Sequence, residues 1–213
     1  KEIDKIVLNE QFEFLKSSVN EQIQDDQINL TFNIAESEKF YVEKINILGN
    51  NITREDVIRN NLVVDEGDAF NELLQTKSLN NLKSLNFFSK VETEIIDSEN
   101  RNNKIINITV EEKPTGEIMA GAGVGTDGGT VQFGVSENNF LGRGIEFSSD
   151  VTLSADTLKG IIALNNPNYQ GSNRSLNTSV ESTITDRLSD YGYKSNKTGL
   201  SIGSGFEFYD DLY

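Results

Sequence analysis

From residue 116 onward, apolar residues trade places with small or polar ones at every step. Val131, Phe133 and Val135 alternate with Gln132, Gly134 and Ser136, and Ile145, Phe147, Val151 and Leu153 alternate with Glu146, Ser148, Asp150 and Thr152. A period of two describes strands with two unlike faces. The alternations over 116–125, 129–137 and 145–155 each have about the length, roughly 9–11 residues, that a tilted strand needs to cross a bilayer. A further alternation runs through Leu200, Ile202, Ser204, Phe206 and Phe208.

The first half is patterned differently. Gln27 to Ala35 reads as a strand with Ile28, Leu30, Phe32 and Ile34 on one face, and Tyr41 to Leu48 reads as a second. Gly49-Asn50 then turns the chain. Thr53-Arg54-Glu55-Asp56 has the spacing of a helix N-cap followed by an acidic residue at the third helical position, and it predicts a helix with Val57, Ile58 and Leu62 toward a core. After Asp65-Glu66-Gly67-Asp68, a longer helix from about Asn71 to Leu85 places Leu74, Ser78, Leu82 and Leu85 in one buried stripe. Strands over Val91 to Asp97 and Lys104 to Glu112, joined by the polar loop 98–103, complete the order strand, helix, helix, strand, strand.

Composition narrows the functional classes. The 213 residues allow one or two domains and a sizeable core. Net charge is −15, with 22 acidic and 13 basic side chains in residues 1–114 and 12 and 6 in residues 115–213. No basic stripe is interleaved with aromatics, so nucleic acid is not an expected partner, and no polybasic patch suits a membrane surface. Without cysteine there are no disulfides and no thiol chemistry. Without histidine as well, a Ser-His-Asp triad and the usual zinc sites fall away.

Gly123-Val124-Gly125-Thr126-Asp127-Gly128 matches the dinucleotide pattern, but a strand begins near Thr130 where a pyrophosphate would need a helix N-terminus. The segment reads as a tight turn, and no cofactor or metal is expected. The acidic pairs Asp25-Asp26, Glu111-Glu112 and Asp210-Asp211 fall in turns or at strand ends, where hydration accounts for them. The chain is not expected to be an enzyme. No apolar run approaches the roughly 18 residues of a spanning helix, so entry into lipid would be by strands. The chain opens on Lys1-Glu2-Ile3-Asp4 with no apolar signal segment, and the last alternation has no closing element after it, so a piece of a longer protein is expected.

Phe40-Tyr41-Val42-Glu43-Lys44-Ile45 at the start of this order, Leu48-Gly49-Asn50 after its first strand and Leu85-Asn86-Phe87-Phe88 before its second resemble a POTRA (polypeptide-transport-associated) domain. Beyond it, Thr115-Gly116-Glu117, Gly123-Val124-Gly125-Thr126, Asn139-Phe140-Leu141-Gly142-Arg143-Gly144 and Asn166-Pro167-Asn168-Tyr169 resemble the start of the barrel in the BamA family of outer-membrane β-barrel assembly factors. The fold class implied is an α+β POTRA domain (β-α-α-β-β) followed by an incomplete antiparallel transmembrane β-barrel. Residues 1–36 are similar to the end of a preceding POTRA domain, 37–114 to the last one, and 115–213 to about the first six barrel strands.

The resemblance implies insertion of β-barrel proteins into the bacterial outer membrane without ATP, with POTRA domains in the periplasm. It implies as partners unfolded outer-membrane protein clients, accessory lipoproteins of the assembly complex and outer-membrane lipid. In the family the first strand meets the last at a lateral seam. Here that strand carries Gly116, Ile118, Ala120, Gly121, Gly123 and Gly125, whose glycines offer little side chain to a neighbouring strand and weaken the pairing. Exchange of one strand partner for another keeps most backbone groups bonded. Such glycines also suit a crowded or strongly curved barrel wall. A second candidate site is the stretch with Val91, Thr93 and Ile95, expected at a POTRA sheet edge where a client adds a strand; the competing account is an ordinary edge guarded by Glu92 and Glu94.

Asn139 to Gly144 and Asn166 to Gly171 read as periplasmic turns, leaving 126–128, 155–157 and 187–196 as outer loops, with Tyr191 and Tyr193 at the outer interface or packed in a loop. Two other functional classes compete. A POTRA-barrel translocator of the two-partner secretion or autotransporter-assembly type keeps the fold and changes the client, whereas a soluble periplasmic or surface β-protein requires the outward faces to be polar.

Overall fold

The computed structural model describes residues 15–24, 27–36, 40–125, 128–172 and 174–206. Its contacts divide the chain into two units, residues 1–51 with 58–112, and residues 52–57 with 113–213. In the first unit, β1 (Leu15–Gln24) and β2 (Gln27–Glu36) form an antiparallel hairpin that sets Val19 opposite Phe32. Val19, Ile28, Leu30 and Phe32 are exposed. The side chain of Ile34 and the pairs Asp25-Asp26 and Asp210-Asp211 lie outside the described residues.

The order expected for residues 41–112 is the order observed: β3 (Tyr41–Leu48), α1 (Glu55–Arg59), α2 (Glu72–Ser84), β4 (Phe88–Asp97) and β5 (Asn103–Glu112). The three strands make one sheet in the order β3-β5-β4, with β3 parallel and β4 antiparallel to the central β5. One sheet face supplies Val42, Ile45, Val91, Ile106, Ile108 and Val110 to a buried core, which Ile58 and Leu82 close from the helices. Each such side chain contributes about 1.5–3 kcal/mol when fully removed from water.

Asn71 starts α2, its Oδ1 accepting from the amides of Leu73 (2.8 Å) and Leu74 (3.3 Å). Of the stripe expected on α2, Ser78 and Leu82 are buried, Leu74 and Leu85 are only half-buried, and Gln75 is buried with them. The helix is turned so that the Gln75 amide donates to Thr93 Oγ1 and Ser78 Oγ accepts from the Val63 amide at 2.9 Å. After β3, Gly49 takes φ +89°, and a Cβ there would stand 2.0 Å from the Val110 carbonyl oxygen. No other residue fits that close approach to β5.

The second unit is a six-stranded antiparallel sheet in chain order: β6 (Gly116–Gly125), β7 (Gly128–Glu137), β8 (Glu146–Ser154), β9 (Thr157–Asn166), β10 (Arg174–Arg187) and β11 (Tyr193–Phe206). Its register makes rows that run unbroken across all the strands. One row is Ile118, Val135, Ser149, Ile162, Val180 and Leu200. On the other face the row through Gly121 reads Gln132, Thr152, Lys159, Thr183 and Lys197. The apolar face is open, with Ile118 86%, Phe133 61% and Ile202 69% exposed. The outer loop expected over 187–196 is shorter. Arg187 still belongs to β10, a helical turn α3 (Leu188–Tyr191) ends on Gly192 at φ +72°, and β11 begins at Tyr193. Tyr191 sits on that turn with the Arg187 guanidinium 5.7 Å from its ring centroid, while Tyr193 opens the strand.

The loop between β4 and β5 is held by one carboxylate. Glu43 Oε2 accepts from Ser98 Oγ (2.5 Å), Asn100 Nδ2 (3.0 Å) and Asn103 Nδ2 (3.1 Å). Those donors, Ser98 first, hold its pKa below the ordinary 4.5 despite slight desolvation. A lowered folded pKa means that this contribution is present above the ordinary value and is lost as pH falls through the depressed one. Amide exchange at Asn100 and Asn103 is therefore expected to accelerate, relative to the rest of the sheet, as pH falls below the ordinary glutamate value. Glu43→Gln should abolish that step; a step that persists in the variant contradicts the assignment.

Candidate functional site

Two strand edges and one turn carry the arrangement. At the first edge, β6 pairs with β7 over its full length, from Gly116 opposite Glu137 to Gly125 opposite Gly128, and ends the sheet. Its even positions Gly116, Ile118 and Ala120 share the apolar face, and its odd positions Gly121, Gly123 and Gly125 share the polar one. A Cβ built at Gly121, Gly123 or Gly125 meets nothing within 4 Å among the described residues. On the same strand a Cβ at Gly116 would stand 3.0 Å from Glu137 Oε2, and at the buried Gly134 of β7 one would stand 2.4 Å from Asp150 Oδ1. Next to this strand, Gln132, Asp150, Thr152, Lys159 and Ile161 line an open hollow of about 290 Å³ on the polar face. The segment after Gly125 leads into β7, not into a helix.

The second edge is β4. Val91, Thr93 and Ile95 share its helix-facing side: Val91 is buried, Thr93 receives the Gln75 amide, and Ile95 is 40% exposed. Glu92, Glu94 and Ile96 share the opposite face. The sheet's other edge, β3, is occupied by its own domain. Val42 exchanges backbone bonds with Gly67 and Asp68 at 2.7 and 2.9 Å, the Ile45 amide donates to Glu66 Oε1, and the Ile45 carbonyl accepts from Arg59 Nη2. Sequence reading had no signal for this asymmetry, because it comes from a loop folding back on the strand.

The turn between β7 and β8 is the Asn139-Phe140-Leu141-Gly142-Arg143-Gly144 segment. Asn139 is buried, and its side chain reaches both ways, with Nδ2 donating to Thr53 Oγ1 and Oδ1 accepting from the Gly144 amide, each at 2.8 Å. The Gly142 carbonyl accepts from the Arg54 amide at 2.8 Å, and a Cβ on Gly142 (φ +69°) would stand 2.0 Å from the Ile52 carbonyl oxygen. Leu141 is held in the left-handed region at φ 56° and is 70% exposed, while Phe140 stacks on Phe147 with ring centroids 5.1 Å apart. Arg143 is exposed. Thr53, expected to cap a helix, has its hydroxyl in the bond from Asn139, and the helix begins at Glu55. The turn 166–171 repeats the backbone, with Gln170 at φ 55° and Gly171 at φ 67°.

A POTRA family model, described as a surface antigen variable number repeat, matches residues 40–113. The outer membrane protein assembly factor BamA of Nitratidesulfovibrio vulgaris is 27% identical over 160 residues, which is 73% of this chain and 20% of that protein. Among solved structures, BamA from Haemophilus ducreyi lacking POTRA domains 1–3 superposes with a TM-score of 0.74 at 20% identity, over 99% of this chain and 42% of that one. CdiB from Acinetobacter baumannii gives 0.53 at 14% identity, over 91% and 38%. The chain spans about a fifth of the length of the curated relatives it matches.

Fold and relatives together define a POTRA domain followed by antiparallel strands like those of an outer-membrane barrel. The POTRA match, the relatives named as BamA and the fold support placing this chain in the BamA family of outer membrane protein assembly factors, a family that is not one of classical enzymes. Its place is the bacterial outer membrane, with the POTRA domain in the periplasm.

Gly142→Ala forces a Cβ into the Ile52 carbonyl and should break the bond from the Arg54 amide. Loss of one such bond costs about 1–3 kcal/mol, so exchange at the Arg54 amide is expected to rise about tenfold or more. Exposed Leu141, changed to Gly, should leave it unaltered. Equal exchange in both variants and the unaltered protein would contradict the packing described.

Proposed function

We propose that this chain is the region of an outer-membrane protein assembly factor that captures unfolded β-barrel clients and hands them to the membrane. In this reading residues 1–36 end a preceding POTRA domain, 37–114 form the last one and 115–213 are the first six strands of the barrel. Clients add a strand at the β4 edge, where Val91, Thr93 and Ile95 offer the helix-facing row and main-chain bonds ignore most of the client's sequence. The closed β3 edge supports β4 as the place of addition.

Transfer into the membrane then occurs at β6. In hydrocarbon an unpaired backbone group costs several kcal/mol, so a seam opens only if a new strand replaces the old as it leaves. Such an exchange is close to neutral in free energy and needs no nucleotide. The observation that carries this reading is an edge strand whose glycines at 121, 123 and 125 have open space above them: packing does not demand them, and their remaining effect is a weakly held strand. Asn139 to Gly144 serves as a periplasmic turn, and accessory lipoproteins of the assembly complex dock on the POTRA domain. Relatives named as assembly factors favour this reading over a translocator for a dedicated passenger.

Gly121→Val with Gly123→Val fits sterically and raises strand propensity, by up to about 1 kcal/mol per position. In proteoliposomes holding the full-length protein, insertion of an unfolded barrel client is expected to slow several-fold while the barrel itself folds normally. An unchanged insertion rate would remove the labile-edge mechanism.

A further inference from the structure

The β4 edge carries an asymmetry of charge that bears on which strand it accepts. On its open face Glu92 is already paired, with Lys90 Nζ 2.8 Å from Oε1. That pairing, with Glu111 nearby, raises the Lys90 pKa. Glu94 stands two residues on, on the same face. It accepts only a long 3.4 Å bond from Asn107 Nδ2 and makes no ion pair among the described residues. Asn107 in turn accepts from Asn46 at 2.9 Å, so this polar ladder crosses the sheet from β3 and ends on the Glu94 carboxylate, at the free edge. Ile96, next on that face, and Ile95, on the helix side, are each 40% exposed.

We infer that the edge selects an amphipathic extended segment carrying a cationic side chain beside Glu94 and apolar ones beside Ile95 and Ile96. This rests on the reading of β4 as the client-binding edge. In an added strand, directly opposed side chains lie about 4.5–5.5 Å apart, so a lysine or arginine opposite Glu94 meets an acid with no cation of its own. A cation opposite Glu92 competes with Lys90 and gains less. Main-chain bonds supply the affinity common to all clients, and Glu94 grades them.

The test uses the full-length protein in nanodiscs and a ten-residue peptide of alternating Thr and Val, with a photoreactive end and a single central Lys, Gln or Glu. Anisotropy is expected to rank Lys above Gln above Glu, with Lys over Gln by about threefold, the scale of one cross-strand charge pair. The gap should shrink in high salt and vanish in Glu94→Gln, which keeps the size of the side chain, while Glu92→Gln leaves most of it. Equal binding of the three peptides, with cross-links still mapping to 88–97, would overturn charge selection and leave the edge reading intact. Cross-links that never map to 88–97 would overturn the edge reading itself and the selection with it.

Discussion

Main-chain hydrogen bonding in a medium without water is the constraint on which the second unit depends. A strand in hydrocarbon must spend every amide and carbonyl on a neighbour. Six strands in simple chain order, each paired antiparallel with the next, meet that demand everywhere except at the outer edges of β6 and β11. The same register sorts the side chains. Because pairing is unbroken from β6 to β11, alternation within each strand becomes two continuous surfaces, one dominated by Ile, Val, Leu and Phe and one dominated by Gly and by polar and charged side chains such as Gln132, Asp150, Thr152, Lys159 and Glu181. In water the first surface would need a second layer over it; in a bilayer, lipid does that work.

The POTRA sheet answers the opposite solvent. There the apolar face is closed by helices, and the burial of Ile58 and Leu82 against Ile106 and Ile108 makes an ordinary water-excluded core. What the two sheets share is an end strand left without a partner among the described residues, β4 in one and β6 in the other. In a soluble sheet such an edge is a liability that charges guard; here Glu92 and Glu94 on β4 fit a guard and a filter alike. On β6 the polar face carries one charge, Glu117, at its start, and glycine stands at 121, 123 and 125.

Much of this was legible from residue types because strand alternation is a local property. The pattern over 116–125 coincides with β6, and Tyr41 to Leu48 with β3. One miss has a local cause and the others have tertiary ones. β1 went unread because Leu15, Val19 and Ile23 recur every four residues, a spacing no more suited to a strand than to a helix. β4 starts at Phe88 rather than Val91 because a register shift between Phe88 and Lys90 extends the pairing. Gln75 is buried because Thr93 on a distant strand accepts its amide, and the helix rotates to suit. Asn139 was identified as a turn residue, but its bond to Thr53 joins positions 86 residues apart and has no trace in local sequence. The glycines of β6 were visible in the sequence, whereas the open space at positions 121, 123 and 125 among the described residues was not.

The orientation of the two faces of the β6–β11 sheet is the claim to test first. Single spin-labelled cysteines at Phe133, Val151, Ile162 and Leu200, and in a second set at Gln132, Thr152, Lys159 and Lys197, read contact with lipid directly through collision with oxygen or with a water-soluble nickel chelate. In full-length protein reconstituted in bilayers, the first set is expected to collide with oxygen and the second with the chelate, alternating residue by residue. Chelate access throughout the first set, or no alternation between the sets, would contradict a lipid-embedded sheet.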